Sequence, residues 1–408
     1  METIYSVCCG LDVHQAKVSA CLRRIGNDNT VSTQIKEFDT TVQGLTQLSQ
    51  WLTETQCPVA AMESTGVYWK PVYHILSATM DIWVVNARDV KQRRGKKTDR
   101  ADAKWIAELL AHGLIDPSFI PPPEILALRD MIRMRTTLVQ TRTQFKNRVL
   151  AILEDTNVKL SSVVSDPFGV SARKMIDALV EGNRDPKALS ELAKGVLRKK
   201  IPQLETALEG SFTDHHARLI RLNLELVDKL NAQIMQLDEY LDEMMEPFQA
   251  QIQRIESTPG VSRIASRIIV SEIGTDMGRF GSAPRLSAWA GMSPGNNESA
   301  GKRKSGKTRK GNRYLRRVLI ECAWATRKTE SFLGHTFRRL QKRIGGKKAA
   351  VAVGHKILVI VYHLLKEGTV YDDGRYDRYQ KKQEKNQLTR ALSLLQELGY
   401  EVQLKKAA

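Results

Sequence analysis

The stretch PVAAMESTGVYWKPVYHILSATMDIWVVNA, residues 58–87, decides the fold. PVAAME is a short apolar run closed by Glu63, VYWKPVYHILSATM has helical spacing, and DIWVVNA is again β-branched and aromatic. Strand, helix and strand in succession describe an α/β crossover unit. Upstream, the residues from Ile4 to about Ala20 read as β and VSTQIKEFD (31–39) continues in that style, before GLTQLSQWLTE (44–54) changes to helical spacing. A strand-rich start followed by alternation gives an α/β domain with a mixed central sheet over residues 1–124, and PSFIPPPE (117–124) marks its edge.

Acidic residues fall where such a sheet presents its ligands. Asp12 in CGLDVHQAK follows one apolar run and Glu63 ends another, while Asp99 and Asp102 in KTDRADAKWIAELL stand three apart at the start of a helix running to Leu110. Residues three apart share a helical face, and strand ends at the carboxyl edge of an open α/β sheet form its binding crevice. Carboxylates gathered there suit a pair of hard divalent cations, Mg2+ or Mn2+, that polarise phosphate oxygens. Taken singly, each is equally a turn or capping residue, and Asp99 after Thr98 could cap its own helix. Positive charge at Lys91, Arg93, Arg94, Lys96, Lys97, Arg100 and Lys104 surrounds the set and suits a grip on a phosphodiester backbone.

Beyond the prolines, residues 125–255 read almost entirely as helix. One long element covers ILALRDMIRMRTTLVQTRTQFKNRVLAILE (125–154). A second places Leu219, Leu226, Leu230, Ile234, Leu237, Leu241, Phe248, Ile252 and Ile255 mostly three or four apart, as in a coiled coil or a long antiparallel helix pair. Such spacing does not say whether the partner helix belongs to the same chain. A small helical insert lies between them, at 166–197. The third region, 256–372, opens on TPGVSRIASRIIVSEIG, a Pro-Gly turn and amphipathic helix resembling half of a helix-hairpin-helix, and is otherwise mostly helical. Residues 373–408 form a polar tail with one short helix.

Composition narrows the partners. In 408 residues, 63 Lys and Arg against 45 Asp and Glu leave a net charge of +18, which points to a polyanion, and 42% hydrophobic residues suffice for real cores. The cysteines Cys8, Cys9, Cys21, Cys57 and Cys322 show neither metal spacing nor a paired framework, and read as small core residues in a reducing compartment. No run approaches the apolar length of a membrane span and METIYSVCCGLDVH lacks a signal layout, so a cytoplasmic protein is expected.

The second constellation is NNESAGKRKSGKTRKGNRYLRRVLIE, 296–321, with nine basic and no acidic residues from Lys302 to Arg317. Lys302, Arg303, Lys304, Lys307, Arg309, Lys310 and Arg313 are candidate phosphate contacts, and Gly301, Gly306 and Gly311 are expected to keep the backbone mobile for close approach. GKRKSGKT (301–308) formally satisfies the nucleotide phosphate-loop pattern, but a turn-rich polar stretch precedes it where a buried strand is required. A serine near such a cluster could attack a phosphodiester; the residues alone do not choose among Ser293, Ser299, Ser305 and the hydroxyl of Thr308.

Together these residues resemble a known family, the DEDD transposases of bacterial insertion sequences of the IS110 type, which includes the pilin-gene invertase. The matches are GLDVHQAK, MESTGVYWKPV and KTDRADA, then TPGVS, RFGSAPRLSAWAGMSP, ESAGKRKSGKTRKGNRYLRRVL and KILVIVYHLLKEGTVYD, in the family's order and weakest near 165–210. The resemblance implies a RuvC-like, RNase H-type first domain whose tetrad Asp12, Glu63, Asp99 and Asp102 binds Mg2+. It also implies a nucleophilic serine at Ser299 that forms a covalent phosphoserine link to donor and target DNA. It further implies a homo-oligomer, dimer or tetramer, joining one subunit's tetrad to another's serine, a structured non-coding RNA as guide, and a location at the bacterial nucleoid. Two rivals stand beside it: a hydrolytic RuvC-like Holliday-junction nuclease, which needs the tetrad and not the serine, and a non-catalytic nucleic-acid-binding protein.

Overall fold

The computed structural model describes residues 3–399 except 27, 29, 65, 87–89, 91–98, 296, 300, 301 and 309, with backbone alone at 297–299, 302–305, 375–384, 387 and 390. The chain divides into two compact units, Met1–Ile120 and Pro121–Ala408.

In the first unit, β1 (Val7–Val13), β2 (Lys17–Ile25), β3 (Val31–Asp39), β4 (Val59–Glu63) and β5 (Asp81–Val85) form one sheet in the order β3-β2-β1-β4-β5. The β3-β2-β1 side is antiparallel and β1-β4-β5 is parallel, giving the mixed sheet expected from the strand-rich start and later alternation. Strand periodicity distributes the core over two faces. Cys9, Leu11 and Val13 of β1 and Ala60 and Met62 of β4 pack with α1 (Val42–Glu54) and α2 (Trp69–Leu76) through Leu45, Leu48, Leu52, Val72 and Leu76. Cys8 of β1 and Val59 and Ala61 of β4 face the other way, toward Ile106 and Leu110 of α3 (Asp99–Ala111). The Thr41 hydroxyl accepts from the Gly44 N–H and starts α1. Edge strand β3 is almost wholly exposed and carries Lys36, Glu37 and Asp39, charges that discourage further strand pairing. All five cysteines are free and buried, and burial pushes the Cys8 and Cys322 thiols up to about 12, so they serve as small core residues.

The second unit begins with two long helices, α4 (Pro123–Asp155) and α5 (Asp214–Met245). They run antiparallel to each other within one chain: Arg135 binds Asp238 (Nη2 to Oδ2, 2.9 Å) and Arg142 donates to Asn231 Oδ1 at 2.8 Å, so a step forward on α4 matches an equal step back on α5. The apolar seam differs from the expected stripe. Leu219 and Leu226 are exposed, and the buried positions are Ala217, Ile220, Leu224 and Val227, then Ile234 and Leu241. Heptad spacing links Leu219 to Leu226 as well as any buried pair; the choice of face is made by the partner, here a core of Leu153 from α4, Met175, Ile176 and Leu189 from the insert, and Leu204 just beyond it.

Downstream come helix Gln249–Glu256, α6 (Arg263–Ile273), helix Ala283–Trp289, the hairpin β6 (Asn297–Ser299) and β7 (Lys302–Ser305), then α7 (Arg313–Thr326), α8 (Phe332–Ile344) and α9 (Gly346–Glu367). In the Pro-Gly turn Gly260 has φ +83° and lies against α7, where an added Cβ would come within 2.8 Å of Cys322 O and 2.9 Å of Thr326 N. Two expectations are corrected here. Helix α9 is long and apolar enough to cross a membrane by length and composition, with only Lys356 charged between Lys348 near its start and Lys366 near its end; half of its apolar window is buried inside this unit. The tail helix, Gly374–Glu397, is 24 residues rather than short, since no Gly or Pro interrupts it before Gly399 at φ +84°.

A buried charge network ties this unit together. The Glu272 side chain, fully shielded in α6, accepts from Arg133 at 2.9 and 2.8 Å and from the Asn312 side-chain amide at 2.5 Å, with Arg129 Nε at 3.4 Å. Arg129 also donates to the backbone oxygens of Ser271 and Glu272, and burial lowers its guanidinium to about 10. Asn312 in turn caps α7, accepting from the Tyr314 and Leu315 N–H groups. A buried carboxylate with this many donors leaves unpaired cations when it is removed. Glu272→Ala is therefore expected to cost about 3–5 kcal/mol in chemical unfolding, with Glu272→Gln losing less because it keeps the shape and part of the bonding.

Candidate active site

Strand alternation puts Gly10 and Asp12 of β1 on the α3 side of the sheet, opposite Cys9, Leu11 and Val13. Glu63, two residues beyond Ala61, shares that side from β4, and the parallel register Leu11↔Met62 leaves Asp12 and Glu63 as the next positions on neighbouring strands. Helix α3 closes on this face because Gly10 has no side chain. A Cβ there would lie 2.1 Å from Ala103 O and 2.4 Å from Ala107 N, and among the described residues Cys21 of β2 joins these two alanines in a small buried cluster. The first turn of α3, bearing Asp99 and Asp102, thereby arrives beside the end of β1.

The resulting geometry centres on Asp12. His14 Nε2 lies 3.1 Å from Asp12 Oδ2 and 3.4 Å from Asp99 Oδ1, and one ligand atom from each of the three residues falls within 4.8 Å of the others. Burial, and then the charges of Asp99 and Asp102, raise the Asp12 carboxyl above the ordinary carboxylate range, against a lowering by His14. Asp102 thus acts on Asp12 electrostatically, while neither it nor Glu63 belongs to the 4.8 Å group. A partly buried and an exposed carboxylate with an exposed imidazole nitrogen are a donor set that fits a hard divalent cation. The sequence signal for His14 is a ligating side chain two residues after an acid at a strand end. Of the flanking cations, Arg100 pairs with Glu37 at 3.2 Å on the exposed surface, and Lys97 lies outside the described residues.

The basic segment is a hairpin. β6 and β7 pair antiparallel with Ser299 opposite Lys302 and Glu298 opposite Arg303, and its base is closed by the Pro294–Thr308 bridge and the Gly295 N–H donating to Lys307 O. Lys307 and Lys310 are exposed, and exposed Arg313 stacks 4.8 Å from the Tyr314 ring centre. Lys302, Arg303 and Lys304 lie in β7, and Arg309 lies outside the described residues. The glycines do not all serve mobility. A Cβ on Gly311 would lie 2.3 Å from Gly291 N, so this glycine permits a tight backbone crossing, while Gly301 is outside the described residues. Within 301–308 the described backbone at Lys302–Ser305 is strand β7 and the next helix starts only at Arg313, whereas a nucleotide phosphate loop runs straight into a helix.

Two sequence-family models match this chain, an IS110-type DEDD transposase over residues 9–158 and the transposase IS116/IS110/IS902 family over 252–335. The chain belongs to this transposase family. The first match contains all four acids and the second contains the hairpin. The transposase is 25% identical over 325 residues to a Pseudomonas aeruginosa protein named "Probable family 20 transposase", covering 78% of this chain and 86% of the relative. It is 26% identical over 299 residues to the "Insertion element IS900 uncharacterized 42 kDa protein" of Mycobacterium paratuberculosis, covering 67% and 73%.

Two outcomes follow for the acidic site of this transposase. Gly10→Ala should destabilise the first unit by about 1–3 kcal/mol in urea unfolding, because backbone rather than a movable side chain blocks the new methyl. Because the Asp12 carboxyl is raised, the folded chain holds its proton more tightly than the unfolded chain. Stability therefore falls as pH rises from the ordinary carboxylate value through the raised one, and the deficit persists at neutral pH. Without metal, Asp12→Asn should melt above the wild type at pH 7; added Mg2+ or Mn2+ should raise the melting temperature of the wild type and not of the variant.

Proposed function

We propose that this transposase cuts and rejoins DNA strands with two constellations, the acids Asp12, Glu63, Asp99 and Asp102 and the nucleophile Ser299. The observation that carries the reading is the convergence of Asp12 and Asp99 at one sheet edge, with Asp102 acting on the same carboxylate. The strand order, antiparallel β3-β2-β1 followed by parallel β4 and β5, supports an RNase H-like, RuvC-like assignment of the first unit. The four acids would hold Mg2+ or Mn2+, with the His14 ring, 3.1 Å from Asp12 Oδ2, beside them. When bound, the cation would polarise a phosphate oxygen and offset charge developing at phosphorus.

Ser299 Oγ would attack the scissile phosphorus as the bond to the departing sugar oxygen breaks, the serine proton passing to solvent or a base and the sugar leaving as a hydroxyl. Attack by an incoming sugar hydroxyl on the phosphoserine ester then releases the serine and restores a phosphodiester, so rejoining needs no ATP. Lys302, Arg303, Lys304, Lys307, Arg309, Lys310 and Arg313 would hold phosphates along the hairpin, with Lys97 and Arg100 doing so beside the acids. A homo-oligomer, dimer or tetramer, joining the tetrad of one subunit to Ser299 of another, and a structured non-coding RNA pairing with donor and target DNA complete the proposal; base pairing would then read the sequence and the protein the backbone.

The test is incubation of the full chain with Mg2+ and DNA carrying the element's ends, followed by denaturing electrophoresis. Wild type should give a protein–DNA adduct, Ser299→Ala should give none while still binding DNA, and Asp12→Asn should lose adduct and cleavage by about 10²–10³-fold or more. Full recombination by Ser299→Ala would overturn the serine assignment. Cleavage that survives Ser299→Ala and ends with Asp12→Asn would identify a hydrolytic junction nuclease instead.

A further inference from the structure

Beside the base of the hairpin the second unit has a groove of about 1960 Å³, larger than the ~300–1,000 Å³ typical of small-molecule sites. One wall is the half of α9 that the core leaves open. Along it, one row of side chains four apart carries Lys348, Ala352, Lys356 and Ile360, and the adjacent row carries Lys347, Val351, His355, Val359 and His363. The base of the hairpin, Pro294 and Gly306–Thr308, also lines it, with Arg316 reaching Gly291 O and the Thr308 hydroxyl at 2.6 Å each. Phe332 lies under Lys356, whose Nζ is 5.9 Å from the ring centre.

Charge along the groove is polarised. Lys307, Arg316, Lys347, Lys348 and Lys356 line it, whereas its two carboxylates, Glu367 and Asp372, are at or beyond the far end of α9. We propose that this groove holds a single strand of DNA leading to the hairpin. Lys348 and Lys356 are eight residues apart, about 12 Å along the helix, enough to meet two phosphates of one strand about two nucleotides apart. The floor of Val351, Ala352, Val359 and Ile360 offers nothing to the phosphate and sugar exterior of a duplex; it suits the faces of unstacked bases, which Phe332 and the imidazoles of His355 and His363 can also contact. A strand opened during transposition needs such a hold until it is rejoined. The inference rests on the DNA-cutting reading and does not depend on Ser299 being the nucleophile.

The test uses the full chain and a fluorescein-labelled 20-nucleotide single strand, the same DNA as duplex, and an RNA of the same sequence, with anisotropy measured over a salt series. Lys348→Ala/Lys356→Ala should weaken single-strand binding about tenfold and flatten the slope of log affinity against log salt by about 1.4, two phosphates' worth for single strands. Ile360→Ser should weaken single-strand binding without changing that slope. Lys328→Ala/Lys342→Ala, which removes equal charge outside the groove lining, should change single-strand binding much less. Equal losses from both lysine pairs, an effect confined to duplex or to RNA, or unchanged DNA binding with a changed oligomer mass would each overturn the proposal. Loss of the covalent adduct in Ser299→Ala with single-strand binding intact leaves the groove standing. Wild-type adduct formation that proves independent of Ser299 removes the serine assignment and leaves the groove standing as well.

Discussion

The acidic site depends on an absence of side chain at Gly10. With hydrogen alone on that Cα, the backbone of α3 at Ala103 and Ala107 comes directly onto β1, and Cys21 fills the little space that remains. Everything else at the site follows from that contact. The helix start is carried to the strand end, Asp99 meets His14, and the mutual repulsion of the acids is imposed on Asp12 by a packing contact two residues away. A carboxylate cluster is unfavourable in itself; here the surrounding Leu, Ile and Ala packing holds it together.

The second unit solves a related problem with the opposite material. The basic hairpin is flanked by segments pinned through Glu272, whose oxygens receive Arg133 and Asn312 and whose backbone receives Arg129. Asn312 is shared between that carboxylate and the N-terminus of α7, so one side chain both meets Glu272 and starts the helix that carries the last arginines of the basic segment. Charge that would be costly alone is placed where geometry has to be fixed.

The alternation at 58–87 made the mixed sheet legible, and with it the strand ends at which Asp12 and Glu63 stand, because period-two and helical patterns are local properties. The helical middle was legible for the same reason. What escaped were features set by partners distant in sequence. His14 acquires meaning only when α3 brings Asp99 to it, and Gly10 only when Ala103 lies above it. Leu219 and Leu226 satisfy heptad spacing yet face outward, since the insert core decides which face is buried. Glu272 sat unnoticed in an amphipathic helix; Arg129 and Arg133, four apart beside Ile125, Leu128 and Ile132, were the trace of its need for partners. Gly311 passed for flexibility and is a crossing point.

The two long helices have a mechanical consequence. Thirty-three residues of α4 make a rod about 50 Å long, with the insert at its tip and both strands of the rod fastened to α6, α4 through Arg133 and Glu272 and α5 through Asp242 and Arg267. A rod with both arms bolted to one crosspiece cannot slide one arm past the other at its foot. A displacement at the tip would therefore bear on α6, and through Glu272 on Asn312, which caps α7 beside the hairpin.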